Sequence, residues 1–187
     1  VRGNIYLSTL ADQIRNIAVT SLPSLAGETV PDADDRSNSF DYRLTLHDTE
    51  PWADALKIPV SNLGESYLDG GVDYRSGSMS LSLDAPYLRQ GNKLIEKTRL
   101  DISVAGEPGV SSLSFTSRFP TKHGQLQLSF DNRAAGDSID SRLRWSIDRA
   151  ARYDGDLSLS AALDRYADGV GALVTVHPGE LTFNDST

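Results

Sequence analysis

The side chains that could do chemistry in this chain are few and scattered. His47, His123 and His177 stand far apart; no two share a helical turn and none has a second histidine at metal-ligand spacing. His123-Gly124 and His177-Pro178 read as turns, so solvated or turn histidines are expected. There is no H-E-x-x-H and no P-loop. Gly169-Val170-Gly171 opens a G-x-G, but Val174 stands where a dinucleotide fingerprint needs its third glycine. No G-x-S-x-G elbow frames a serine nucleophile, and with serine so frequent a Ser beside a His carries little weight. Asp32, Asp34 and Asp35 could meet a hard cation, yet Ser37 and Arg43 occupy the positions where a calcium loop needs Gly and Glu. A solvated acidic loop is the better reading. A carboxylate pair for glycoside hydrolysis would come from distant strands, and no pair is singled out. Arg142, Arg144, Arg149 and Arg152 surround Trp145. Arg142 and Arg144 alternate with Leu143 and Trp145, which puts them on a strand's wet face; contact with an anionic head group or a partner is the lesser reading. Asn184-Asp185-Ser186 spells a glycosylation sequon, of consequence only in a eukaryotic secretory protein. No enzymatic activity, metal or cofactor is expected.

Composition narrows the classes further. The 187 residues suit one domain, with 18 Lys and Arg against 26 Asp and Glu for a net charge of −8. Nucleic acids and anionic membrane surfaces call for a basic face, so neither is an expected partner. About a quarter of the chain is Leu, Ile, Val or Phe, enough for a folded core. Cysteine is absent, which removes disulfides, thiolate metal sites and a Cys nucleophile. No apolar run reaches the roughly 20 residues of a membrane-spanning helix, and no signal segment opens the chain. The chain starts at Val1 inside a strand-like stretch, so it is expected to be a piece of a longer protein.

The elements that must position any site are mostly strands. Phe40, Tyr42, Leu44 and Leu46 alternate with polar residues, which gives a strand one oily and one wet face. The same alternation recurs at Met79, Leu81 and Leu83, then at Leu100, Ile102 and Val104, and at Leu113 and Phe115. It continues through Leu126, Leu128 and Phe130, then Leu143, Trp145 and Ile147, then Leu157, Leu159, Ala161 and Leu163, and ends at Ala172, Val174 and Val176. Serines 80, 82, 112, 114, 129, 158 and 160 fill wet positions. Gly70-Gly71, Ser76-Gly77, Gly91-Asn92, Gly106 to Gly109, Gly136-Asp137, Asp154-Gly155, Asp168-Gly169 and Pro178-Gly179 read as tight turns between strands. Connections this short favour antiparallel neighbours.

The pattern therefore predicts a single mainly β unit over 1–187. Residues 1–60 carry a strand, short helices and an acidic loop at 27–38; residues 62–185 form an antiparallel meander. Leu10, Ile14, Ile17 and Ala18 form one helical stripe, capped by Ser8 or Thr9 and ended before Pro23. A second short helix is predicted from Glu50 to Lys57, with Thr49 as N-cap and Pro51 in its first turn. Alternation alone leaves a sandwich, a barrel and an elongated sheet open. It also leaves open whether the oily face closes into a core or stays exposed as a groove for acyl chains.

Several stretches resemble TamB-like translocation and assembly module proteins of Gram-negative bacteria. They are Phe40 to Pro51, Asp84 to Ile95 and Leu181 to Asp185, and the likeness spans most of the chain in order. The resemblance implies an antiparallel meander curled into a trough (a β-taco) or a partly closed sandwich, kin to AsmA-like and bridge-like lipid-transfer proteins. It implies a periplasmic segment of a protein anchored in the inner membrane elsewhere. Such a segment would conduct phospholipid toward the outer membrane and support outer-membrane protein assembly. A BamA-like barrel partner would dock through parts outside this chain, and the family offers no catalytic residues.

The lipid-facing candidates are the alternating apolar residues. They are Phe40, Tyr42, Leu44, Leu46, Leu81, Leu83, Ile102, Val104, Phe115, Leu126, Leu128, Phe130, Leu143, Trp145, Ile147, Leu157, Leu159, Val174 and Val176. Phospholipid acyl chains are the expected ligand, and exposed sheet edges are expected to pair with a second copy. The alternatives are a closed structural module, such as a spacer or a strand-edge chaperone, and a carbohydrate-binding sandwich. Trp52, on a predicted helix, and Trp145, on the oily face, count against the last.

Overall fold

The computed structural model describes residues 1–25, 36–106, 109–122, 124–148, 152–167 and 169–184. Asp32, Asp34, Asp35, His123 and Arg149 lie outside them, as does most of the stretch expected to be an acidic loop.

The strands are β1 (Arg2–Asn4), β2 (Ser39–Leu46), β3 (Ser61–Asn62), β4 (Ser66–Asp73), β5 (Ser78–Gln90), β6 (Lys93–Ala105), β7 (Val110–Thr121), β8 (Gly124–Ala135), β9 (Ser138–Asp148), β10 (Arg152–Tyr166), β11 (Gly169–Val176) and β12 (Glu180–Asn184). They form one antiparallel sheet in the order β1-β2-β4-β5-β6-β7-β8-β9-β10-β11, with β3 beside β5 and β12 beside β10. The sheet is a meander that does not close into a barrel. Its shape follows from the alternation and the short hairpins, such as Gly136-Asp137, where both residues take positive φ, 54° and 64°.

Three pairs expected as turns lie within or along strands instead. Gly70-Gly71 sits inside β4, where Gly70 is flanked by Tyr42 and Leu81. A Cβ at Gly70 would overlap the Tyr42 ring and hydroxyl. Gly155 sits inside β10 opposite Trp145, and a Cβ there would overlap the indole. Both glycines give an aromatic ring room to lie across the strand. Pro178-Gly179 is a bulge rather than a hairpin, because β11 and β12 both pair with β10 in the same sense. The bulge shifts the register by one residue. That extra residue brings Leu181 and Phe183 back to the face that carries Val174 and Val176.

Two helices, α1 (Leu7–Ala18) and α2 (Glu50–Leu56), complete the fold. The N-cap of α1 is Tyr6, not Ser8 or Thr9, and the Thr9 hydroxyl reaches back to the Tyr6 carbonyl. Ala18 is exposed, whereas Gln13 is buried with Ile17. A 3₁₀ turn over Val19–Ser21 follows, and Pro23 lies beyond it. Thr49 starts α2 through its carbonyl, which accepts the N–H groups of Trp52 and Ala53; its hydroxyl accepts the Asn62 N–H.

A buried apolar cluster lies beneath α1, while Ala53, Ala85, Ile95 and Ala134 are buried elsewhere. Ile17 of α1 is 1% exposed and packs with Val72 of β4 and Val104 of β6; Ile14, Phe40, Tyr74 and Met79 close around them. A buried amide pair fixes the helix there. Asn38, at the entry to β2, donates from its side chain to Gln13 Oε1 at 2.8 Å and accepts the Tyr6 N–H at 2.7 Å. Gln13 in turn donates to the Arg36 carbonyl.

Candidate functional site: the apolar face of the open sheet

Strand register converts the sequence alternation into a surface. One row runs Phe40, Val72, Met79, Val104, Ser111, Ala134, Ile139, Ala161, Val174 across nine strands. The next runs Tyr42, Gly70, Leu81, Ile102, Leu113, Asn132, Ser141, Leu159, Val176. A third runs Leu44, Leu68, Leu83, Leu100, Phe115, Phe130, Leu143, Leu157. Beyond them, Leu128 meets Trp145 and Leu126 meets Ile147. Leu46 ends the same side of β2, opposite Ser66. Every lipid-facing candidate therefore falls on one face of one sheet.

The candidates are not equally open. Val104 is 4% exposed beneath α1, and Phe40 packs against the same cluster, so these two belong to the core rather than to a ligand surface. Leu81, Leu83, Ile102, Phe115, Leu128 and Leu143 are half-buried. Leu44, Val174 and Val176 are exposed. Burial of Tyr42, helped by the nearby Asp69 charge, raises its phenol above the ordinary range, so it stays neutral on this face.

Polar residues interrupt the face, and those within the rows find partners there. Asn132 donates to the Ser141 hydroxyl at 2.7 Å, and Thr98 and Ser117 share a buried hydrogen bond at 2.9 Å. Satisfied pairs of this kind keep a face compatible with apolar ligand. Alternation counts residues one at a time and could not have found them.

One end of the face is covered. From α1 the chain crosses the strand ends, anchored by Ser21 to Ser111 (2.9 Å), by the Ser24 N–H to Asp137 and by Arg165 to the Ser24 carbonyl. These contacts link the N-terminal segment to β7, to the β8–β9 turn and to β10. No such crossing segment covers the middle of the face among the described residues.

The opposite face is wet, as the serines predict. It carries Arg43–Asp69, Arg99–Asp84, Arg142–Asp156 and Arg144–Asp131 ion pairs. Arg142 and Arg144 are thus engaged on that face, as the alternation predicts. A shallow cleft of about 480 Å³ lies there, between Ser112, Asp131, Arg133, Asp140, Ser160 and His177. Within it the Ser160 hydroxyl lies 2.8 Å from Asp140 and 2.7 Å from His177 Nε2. The serine stands between carboxylate and imidazole, so Asp140 does not orient the ring as a catalytic triad requires. His47 and His177 are exposed. No group of three His, Asp or Glu is placed to hold a metal among the described residues, and no described helix is long and apolar enough to cross a membrane.

The chain matches no family model, no curated protein and no solved structure.

Proposed function

We propose that the open apolar face holds the acyl chains of phospholipid, as a non-enzymatic conducting segment of a TamB-like protein in the periplasm. The observation that carries this reading is the register. It gathers the alternating aliphatic residues of successive strands into parallel rows on one face, and α1 with the segment after it covers one end of that face. β5 has 13 residues, which at about 3.4 Å each gives a strip roughly 44 Å long, ample for an extended acyl chain. Each buried methylene contributes about 0.8 kcal/mol. Successive rows offer nearly the same aliphatic surface, so a chain can be held without a shaped pocket and can slide between rows. Head groups stay in water at the rim. The likeness to TamB-like proteins supplies the setting: an inner-membrane anchor and a BamA-like barrel partner, both outside this segment, and a role in outer-membrane assembly.

The other readings draw less support. A closed module needs a full second layer, and the single sheet does not close on itself. A carbohydrate platform needs aromatics in a row on the wet face, but Trp145 lies in the apolar rows and Trp52 on α2.

The test is mass spectrometry of an organic extract from gently purified protein, with Leu128→Asp and Val174→Asp beside the wild type. Both positions lie away from the helix-covered core, so circular dichroism is expected to stay unchanged. Phospholipid should accompany the wild type and be lost from both variants. A wild type free of lipid, or variants that keep it, would sink the proposal.

A further inference from the structure

The two long edges of the sheet are guarded differently. On one side β1 covers the start of β2, and the rest of β2 bears Arg43, paired with Asp69. On the other side β11 offers Gly169–Val176, eight residues without a charge or a proline. Native sheets blunt such an edge with charges, prolines or bulges. Here the bulge and Pro178 come only after Val176, and β11 itself is left unguarded. β11 is also apolar on both faces. Val174 and Val176 continue the apolar rows and Val170 lies on the same side, while Leu173, paired with Ala162, lies on the wet side and is 72% exposed.

The direction of the free hydrogen-bonding groups follows from one bond. The His177 N–H points inward to the Ser158 carbonyl. Backbone direction alternates along a strand, so Leu173 and Thr175 also point inward. Val170, Ala172, Val174 and Val176 then turn their N–H and C=O groups outward, with no strand beyond them among the described residues.

The geometry points to a second copy of this chain as the occupant of this edge, added antiparallel, β11 against β11, about a two-fold axis at Leu173. That centre pairs Ala172 with Val174 and Val170 with Val176. It therefore uses every outward-facing residue of β11, from either copy, in a hydrogen-bonded pair. It also sets Leu173 against Leu173 in a non-hydrogen-bonded pair, where side chains lie closest, which covers the apolar residue on the wet side. Such an interface is isologous and closes on itself. It places the two apolar faces on the same side of one continuous sheet. The inference stands independently of whether that face carries lipid.

The chain has no cysteine, so single cysteines report the register directly. Cα atoms of a non-hydrogen-bonded antiparallel pair lie about 4.5 Å apart, within disulfide reach. Under mild oxidation Leu173→Cys should cross-link two chains, whereas Thr175→Cys, which faces Gly171 of the other copy, should not. In sedimentation equilibrium the wild-type mass should rise with concentration from 20.3 kDa toward twice that value. Leu173→Lys and Leu173→Glu should each stay monomeric, and their mixture should pair again. A wild type that stays monomeric across the series overturns the inference. So do equal cross-linking at both cysteines and assembly into open-ended oligomers. The cysteine variants decide the matter even if a charged variant fails to fold.

Discussion

Ile17 of α1 packs onto the apolar face and Val176 of β11 belongs to it, yet the two live in opposite environments. Ile17 is 1% exposed at the corner where α1 lies across β4 and β6; Val176 is 63% exposed on the edge strand at the far side of the sheet. The strands beneath them are built alike, from alternating apolar and polar residues. The difference comes from a second layer, which α1 and the segment after it lay over Val72, Val104 and the strand ends but not over Val176. A single sheet buries its side chains to half at best, since each touches neighbours in one plane only, and full burial needs atoms above. Stability is therefore expected to concentrate beneath the helix, while the rest of the face remains open for other occupants.

The contrast is most easily broken at its strong end. Ile17→Ala removes a fully buried side chain and leaves a cavity among Val72, Val104 and Met79. It should cost about 2–5 kcal/mol in urea unfolding, against a few tenths for Val176→Ala. Equal losses at the two sites would mean that something also covers β11. Next comes Gln13→Ala. Gln13 Oε1 accepts from both the backbone N–H and the side-chain amide of Asn38, so truncation leaves buried donors unpaired. The expected cost is about 1–3 kcal/mol, with α1 loosened from the sheet. If hydrogen exchange showed α1 as protected as before, the amide pair would not be what holds the helix down.

That amide pair also marks where the sequence stops being legible. Alternation predicted the strands and their faces well, because period-2 patterning acts residue by residue. Even so, it assigned Val104 to the ligand surface, because nothing local says where a helix will land. The helical stripe was read from Leu10, Ile14, Ile17 and Ala18. Ile14 and Ile17 do face inward, but Ala18 is exposed and Gln13 joins the buried side, where its burial makes sense only once Asn38 is in place. Glycine misled for a related reason. Gly70 and Gly155 have the composition of turns but serve to admit Tyr42 and Trp145 from neighbouring strands, a demand set by residues 28 and 10 positions away. The Pro178-Gly179 bulge is a register device, visible only against β10. Openness of the sheet was likewise beyond the pattern, since twist and register decide closure and alternation is common to both outcomes.

The weakest prediction tests the wet face, where pairing rather than burial is the question. Arg142 donates into the Asp156 carboxylate and, with its charge and that of Arg144, holds Asp156 below the ordinary carboxylate range. A depressed folded-state pKa stabilises the folded form above the unfolded value, near 3.9, and that contribution is lost as pH falls through the folded value. Both partners are substantially exposed, so solvent screens the pair and Asp156→Asn should be the mildest of these substitutions. Any gap between wild type and variant in urea unfolding at pH 7 should shrink in high salt and close as pH falls through the folded-state value. A gap that persisted in acid would have another origin. It would indicate packing of the Asp156 side chain within the bulged stretch opposite β12, and the wet face would then share in holding the edge strand in register.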